Sequence, residues 1–156
     1  MAMRYLMFAA AVAVCMGGAA PAGGQSGDTD YPLFTAENLD EAMKGVGRQF
    51  SLLTRMVEAA DFEEAKVRVT RAREQLSPTI VFWRKNARED AIAMVRDATG
   101  RLDDLDAALS ELTVDPAAVG TALASVDAAC QACHATYREP DPASADTFRL
   151  KSWSGD

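Results

Sequence analysis

The chain is poor in the residues that build disulfide frameworks and metal clusters. Its 156 residues include three cysteines, Cys15, Cys130 and Cys133, and a single histidine, His134. So few cysteines, two of them close together, exclude the disulfide framework of a small secreted domain. No apolar run reaches the ~20 residues of a membrane span, and no stretch alternates as strands do. A helical chain of one domain is therefore expected.

The amino terminus has the features of a cleavable secretory signal. Arg4 precedes an apolar run over residues 5–16, and small residues follow up to Ala22. We expect residues 1–22 to be a signal peptide, residues 23–34 to be a flexible leader, and the protein to be periplasmic. In the alternative, Cys15 is acylated and the protein is a lipoprotein tethered to a membrane. Val14 argues against this, because such sites usually have a small residue before the cysteine.

The formal net charge is −7, and loss of residues 1–22 would remove Arg4 and no acidic residue, giving about −8. An acidic surface disfavours nucleic acid and anionic membranes as partners. It is compatible with electrostatic steering toward a basic protein partner.

Four apolar seams with alternating spacings of three and four residues predict four helices. The first helix begins after the N-cap Thr35, and the second begins after Asp61 and stops before Pro78. The third begins near Ala87, and the fourth begins at residues 115–116 with an N-cap aspartate and a proline. The seams consist of Leu39, Met43, Val46, Phe50, Leu53 and Val57; of Phe62, Ala65, Val69, Ala72 and Leu76; of Ala91, Val95, Ala98, Leu102, Leu105, Leu109 and Leu112; and of Val119, Leu123, Val126, Cys130, Cys133 and Tyr137.

Four such seams with short connections predict an all-α fold, an antiparallel up-down-up-down four-helix bundle over residues 35–139. Residues 79–83 are expected to form a short apolar connection. Residues 140–156 are expected to form a tail in which Phe148, Leu150 and Trp153 can dock on the bundle.

The motif with chemical meaning is Cys130-Gln131-Ala132-Cys133-His134, which has the C-x-x-C-H spacing of covalent c-type haem attachment. Positions i, i+3 and i+4 of a helix share one face, so Cys130, Cys133 and His134 are predicted to point into the same space. Two thiols can then reach the two vinyl groups of one haem, and the imidazole can ligate its iron. One covalent haem c is therefore the predicted cofactor.

Two other uses of paired cysteines fit less well. A structural zinc site needs four ligands, and the predicted mature chain offers two thiols and one imidazole, so it would have to recruit a carboxylate. A thioredoxin-like pair usually lies at the start of a helix in a βαβ unit, whereas this pair lies deep in the fourth helix.

The residues around the motif suggest further roles. With one histidine, a haem with two histidine ligands cannot be built from this chain, so the sixth position is a methionine, another group or empty. Tyr137 lies on the fourth seam with Cys130 and Cys133, which we call the cofactor stripe. Phe50, Phe82 and Trp83 are candidates either for the walls of a haem pocket or for residues of the hydrophobic core. Arg138 is a candidate partner of a haem propionate, or of the negative end of the fourth helix.

Residues 130–138 read C-x-x-C-H-x-x-Y-R near the end of a predicted four-helix bundle, and in this the chain resembles class II cytochromes c. This group contains cytochrome c′ and its low-spin, methionine-ligated relatives, and the resemblance covers roughly residues 34–138. In the low-spin members the sixth ligand is a methionine within a stretch resembling M-K-x-x-G, and residues 43–47 read M-K-G-V-G. The resemblance implies Met43 as the distal ligand. From periodicity alone, Met43 is equally a core methionine of the first seam.

Ligation by His134 and Met43 implies a one-electron carrier rather than an enzyme. Its partners are then redox proteins that bind by transient contact, and the protein is a monomer or a homodimer. If Met43 leaves the iron free, the resemblance implies a high-spin cytochrome c′-type protein that binds nitric oxide or carbon monoxide at an open distal site. Such proteins often carry an arginine one turn before that position, where this chain has Leu39.

Overall fold

A computed structural model describes residues 35–144 and 147–152. The predicted signal 1–22, the leader 23–34, Cys15 and Trp153 lie outside the described residues. Five helices, α1 to α5, and two short strands, β1 and β2, follow one another along the chain. Their bounds are α1 Ala36–Glu58, α2 Phe62–Leu76, α3 Ile80–Lys85, α4 Glu89–Leu109, α5 Pro116–Tyr137, β1 Arg138–Pro140 and β2 Phe148–Leu150.

Local caps explain where α1, α2 and α5 begin. The Thr35 hydroxyl accepts a hydrogen bond from the Asn38 N–H at 3.1 Å, and the Asp61 carboxylate accepts one from the Glu64 N–H at 3.2 Å. The Asp115 carboxylate accepts a bond from the Ala117 N–H at 2.9 Å. Each cap satisfies a backbone donor that has no partner within the helix. These three predicted helix starts are confirmed.

The segment between α2 and α4 is helical, so the prediction of a simple connection over residues 79–83 is wrong. A 3₁₀ turn, Ser77–Thr79, leads directly into α3. Ser77 keeps right-handed helical dihedrals despite the following proline, and its hydroxyl donates to the Arg73 carbonyl at 2.9 Å. Pro78 lies in the first turn of the new helical segment, where its missing N–H leaves no bond unmade. Helix α2 therefore ends at Leu76, before Pro78 as predicted, and the chain continues as a 3₁₀ turn from Ser77.

The third predicted seam is wrong at its last residue. Helix α4 ends at Leu109, and the Leu112 side chain is fully exposed. The Ser110 hydroxyl donates to the Asp106 carbonyl at 2.7 Å in the last turn. Leu112 continues the apolar spacing after the helix has ended, so the spacing does not place its side chain in the core.

The four long helices bury one apolar core, which confirms the all-α prediction in its main feature. Leu39 and Leu53 of α1, Val69 of α2, Leu105 of α4 and Val126 of α5 are almost completely buried. Helix α1 packs closely on α2, α2 packs on α4, and α4 packs closely on α5, whereas α1 and α5 touch only sparsely. The start of α5 is thus held mainly through α4.

Two sets of contacts relate the ends of neighbouring helices. A Cβ atom on Gly45, early in α1, would lie 2.7 Å from the Gln75 Oε1 atom at the end of α2, so glycine permits this close approach. Between α4 and α5, the Tyr137 hydroxyl at the end of α5 is hydrogen-bonded to Arg88 and Asp90 at the start of α4.

The segment after α5 forms a small hairpin, which the search for strand alternation missed. Strands β1 and β2 are antiparallel, with Arg138 opposite Leu150. A three-residue strand is too short for a period of two to be visible. The predicted boundary at residue 140 is therefore late, since the chain leaves the last helix at Tyr137. None of the helices in the described part of the chain combines the length and apolar character needed to cross a membrane.

Candidate cofactor site

Helix α5 brings the two thiols of the motif onto one face. Cys130 and Cys133 are free cysteines, each half-buried and packed against the core. They lie one helical turn apart on the stripe that also carries the buried side chains of Val126 and Tyr137. The two cysteines therefore lie on one face of α5, as predicted.

Burial keeps both thiols protonated. Burial raises the pKa of Cys130, and the charge of Asp127 adds to this effect. Burial also raises the pKa of Cys133 to about 11, with smaller contributions from Cys130 and Asp90. Redox-active C-x-x-C pairs have the opposite property, a lowered pKa that provides a thiolate. This electrostatic setting argues against a thioredoxin-like pair.

His134 lies at the edge of the cysteine stripe and is half-buried. Burial lowers its pKa from 6.5, the positive charge of Arg138 lowers it further, and the charge of Asp127 opposes both. Burial and the charge of Arg138 therefore favour the neutral imidazole. A neutral imidazole has a nitrogen lone pair available to a metal ion.

An open cavity of about 370 Å³ borders His134 on the outer side of α5. Its other lining residues are Gln131 and Ala135 of α5, together with Arg138 and Phe148 of the hairpin. His134 thus lies between the apolar stripe on one side and this cavity on the other.

Arg138 is exposed, and its guanidinium carbon lies 3.7 Å from the centre of the Phe148 ring. A cation over an aromatic face at this distance is favourable. The structure therefore gives Arg138 a partner that neither sequence-based interpretation included. Pairing with a haem propionate stays a prediction.

Tyr137 is buried and belongs to a polar cluster that fixes the end of α5. Its hydroxyl donates to the Asp90 carboxylate and accepts from Arg88 Nη2 at 2.9 Å. Arg88 also pairs with Asp90 at 3.1 Å. The Tyr137 ring lies 4.7 Å from the Trp83 ring, centre to centre. Sequence reasoning missed Arg88 and Asp90, since nothing in their local spacing links them to a tyrosine that lies 49 and 47 residues further along the chain.

The other predicted wall residues differ in burial. Phe82 and Trp83 are buried, with ring centres 5.0 Å apart in an edge-to-face arrangement. Phe50 is half-buried on α1. Phe82 and Trp83 thus belong to the core, and Trp83 reaches the cofactor stripe through Tyr137.

Met43, the predicted distal ligand, lies on α1 and not on α5. It is half-buried on the α1 seam and packs against the core. The structure thus brings together Cys130, Cys133, His134, Tyr137 and Arg138 at the end of α5, and it leaves Met43 on α1.

The residues present fit a covalent haem in two respects. The chemistry of the donor set matches, with two neutral thiols and a neutral imidazole at adjacent positions of one helix. In addition, α1 and α5 touch only sparsely, and seam residues of both helices are half-buried, including Met43, Val46 and Phe50 on α1 and Leu123, Cys130 and Cys133 on α5. Within residues 35–144 and 147–152, no three His, Cys, Asp or Glu side chains form a group that could hold a metal ion.

Comparisons of the chain with protein-family models, with curated proteins and with solved structures give no match.

Proposed function

We propose that the protein is an exported monohaem c-type cytochrome that carries single electrons, with haem bound covalently to Cys130 and Cys133. The observation that carries this proposal is the placement of two free, half-buried thiols and a half-buried imidazole on adjoining positions of α5. When bound, haem supplies a ferric and ferrous couple that accepts and releases one electron.

The two thiols would hold the group in place. Cys130 and Cys133 would each hold one vinyl group as a thioether, through an addition of S–H across the double bond that would need neither oxidant nor reductant. After the addition neither sulfur can ionise, and the cost of a buried thiolate, which the raised pKa of Cys133 reflects, no longer applies. The apolar setting of the cysteines therefore suits thioethers better than thiolates.

His134 would supply the proximal nitrogen. The fourth and fifth residues of the motif are adjacent, so the imidazole is fixed relative to the thioethers by α5 itself. Burial and the charge of Arg138 lower its pKa, which favours the neutral imidazole that a metal ion would require.

Met43 would supply the distal sulfur. In an antiparallel up-down-up-down bundle, the first turns of α1 and the last turns of α5 lie at the same end. The approach of Gly45 to Gln75, and the bonds from Tyr137 to Arg88 and Asp90, are the pairings expected of that arrangement. A thioether ligand favours ferrous iron and suits electron transfer.

The cellular setting follows from the charge and the amino terminus. We infer a periplasmic protein that meets its redox partners through weak, transient contacts, with membrane attachment only if Cys15 is acylated. An acidic chain with a net charge of −7 favours a partner with a basic docking surface.

Absorption spectra of the exported protein test the proposal. We expect a covalently attached haem with a low-spin spectrum, a methionine-to-iron band near the red end, and resistance to carbon monoxide. Cys130→Ser together with Cys133→Ser should abolish the covalent attachment. A chain that is exported without bound haem would contradict the proposal.

The ligand assignment has its own matched control. Met43→Ala should remove the red band and open the iron to carbon monoxide, whereas Met56→Ala, a half-buried methionine elsewhere on the same helix, should change neither. If the unaltered protein is high-spin and binds carbon monoxide readily, Met43 is not a ligand. The gas-binding function of a cytochrome c′-type protein then replaces electron transfer.

A further inference from the structure

The hairpin after α5 is anchored to the last turn of that helix by its own backbone and side chains. The Lys151 N–H donates to the Tyr137 carbonyl at 2.9 Å, and the Lys151 ammonium donates to the Ala135 carbonyl at 2.6 Å. Both bonds satisfy carbonyls that have no partner within the helix. The hairpin therefore has a fixed position relative to His134, which lies in the same turn.

Two more contacts stabilise the hairpin, one between its strands and one to the core. Glu139 and Arg149, which are directly opposite each other, form an ion pair at 2.8 Å. Leu150 is half-buried and packs against the core. Because one side chain packs against the core and the two strands are paired, the hairpin is an ordered part of the domain.

Phe148 of β2 is where the hairpin meets the site. Its ring carries the Arg138 guanidinium on one face, and it lines the same cavity as His134. Arg138 is close enough to His134 for its charge to act on the imidazole. Phe148, Arg138 and His134 thus form one contiguous group, although Phe148 comes from outside the predicted bundle.

We propose that the hairpin is a wall of the cofactor site and that Phe148, held by Arg138, is a positioning residue for the His134 imidazole. The positioning role rests on the proposed function, whereas the packing of Phe148 beside His134 does not depend on haem. The Phe148 side chain is half-exposed and lines the open cavity beside His134, and its ring would limit the access of water to the imidazole from that side. Residues that orient a ligand in this way also tune the metal it binds.

The first experiment measures access to the imidazole in the full chain produced without haem. Diethyl pyrocarbonate modifies neutral imidazoles, and since His134 is the only histidine, the absorbance change reports on that residue alone. We expect Phe148→Ala to increase the modification rate several-fold at pH 7.5. Phe148→Tyr, which keeps the ring, should restore the original rate.

Leu112→Ala is the matched control, since Leu112 is an exposed apolar residue on a distant loop. It should leave the modification rate unchanged. Circular dichroism checks that Phe148→Ala keeps its helices; if that variant unfolds, Phe148→Leu removes the aromatic ring, keeps an apolar side chain and should also increase the rate. An unchanged rate in a folded Phe148→Ala or Phe148→Leu variant would overturn the inference.

The second experiment uses the haem-loaded protein. More water beside the proximal ligand favours the more highly charged ferric state, so Phe148→Ala should have a lower midpoint potential than the unaltered protein. Phe148→Tyr and Leu112→Ala should keep the original potential. A potential that is the same in all four proteins would show that the ring does not act on the ligand.

The two experiments separate this inference from the proposed function. If haem never attaches, the proposed function fails, while the modification rates still decide whether Phe148 covers the imidazole. If haem attaches and Phe148→Ala changes neither the rate nor the potential, the inference fails and the proposed function stands.

Discussion

The Tyr137 hydroxyl donates a hydrogen bond to the Asp90 carboxylate and so joins the last residue of α5 to the first turn of α4. Arg88 donates to the same hydroxyl and lies over the tyrosine ring, 5.2 Å from its centre. The residue that follows the C-x-x-C-H motif by one turn is thus connected to a helix nearly fifty residues earlier in the chain.

Removal of this hydroxyl should loosen the end of α5. In Tyr137→Phe the ring still packs on Trp83, but Arg88 and Asp90 lose a partner. We expect the free energy of unfolding to fall by about 1.5–3 kcal/mol, the usual range for a hydrogen bond to a charged group. Urea denaturation measures this change. A difference below about 0.5 kcal/mol, the range of changes at inert surface sites, would show that the cluster does not hold the helix.

The same cluster predicts a dependence of stability on acid. The hydrogen bonds from Tyr137 and Arg88 hold the pKa of Asp90 at about 2, below its ordinary value of 3.8. Because the pKa is lower in the folded chain, this carboxylate stabilises the fold fully above about pH 4, and the stabilisation is lost as the pH falls through about 2.

Asp90→Asn should therefore flatten the dependence of unfolding free energy on pH between 4 and 2 relative to the unaltered chain. Thermal unfolding at a series of pH values measures it. Asp106→Asn, on the far half of α4, is the control and should keep the original slope. If both variants have the original slope, the Asp90 carboxylate is not held by its neighbours in solution.

His134 predicts a second loss of stability on acidification, at higher pH than that of Asp90, in the chain without haem. Burial and the charge of Arg138 lower its pKa in the folded state below the ordinary 6.5, so the unfolded chain binds the proton more tightly. The fold should lose stability as the pH falls below 6.5. We expect His134→Gln to lose less stability than the unaltered chain between pH 7.5 and 5.5. Equal losses in urea denaturation would contradict this.

The cysteines should react slowly as thiols. With a pKa of about 11 instead of 9.0, Cys133 has roughly 100-fold less thiolate at pH 7. In the haem-free chain, mass spectrometry should therefore detect much slower alkylation by iodoacetamide than for a free cysteine in the denatured chain. Rapid alkylation of either cysteine at pH 7 in the folded chain would indicate an activated pair and revive the redox interpretation.

A stability prediction independent of the site concerns Gly100 in the middle of α4. Nothing lies within 4 Å of where its Cβ atom would be, and its dihedral angles are helical. Gly100→Ala should therefore raise the free energy of unfolding by about 0.5–1 kcal/mol, because alanine loses less backbone entropy in a helix. Urea denaturation measures the gain, and a loss of stability would show that the α4 surface is covered in solution.

Much of the fold could be predicted because its signals are local. The caps at Thr35, Asp61 and Asp115 act within three residues of their own position, so the sequence alone predicts where those helices begin. The end of α4 and the helical path through Pro78 depend on what the chain packs against. The same spacing rule that places Leu109 in the core therefore places Leu112 there wrongly.

The candidate site divides in the same way. Cys130, Cys133 and His134 lie on one helix, so their grouping depends only on helical periodicity. The partners Arg88 and Asp90, and the Phe148 ring, come from distant positions and carry no motif. The position of Met43 relative to His134 depends on how α1 packs on α5, and sequence spacing contains no information about that distance.

The hairpin also has a consequence for the order of events as the chain is made. A polypeptide emerges from its amino terminus, so Cys130 and Cys133 appear before the residues of β2 and before Lys151, which caps the last turn of α5. The two thiols and His134 are therefore made before the hairpin that borders His134. A reagent that reached the thiols before β2 pairs with β1 would meet them without the hairpin in place.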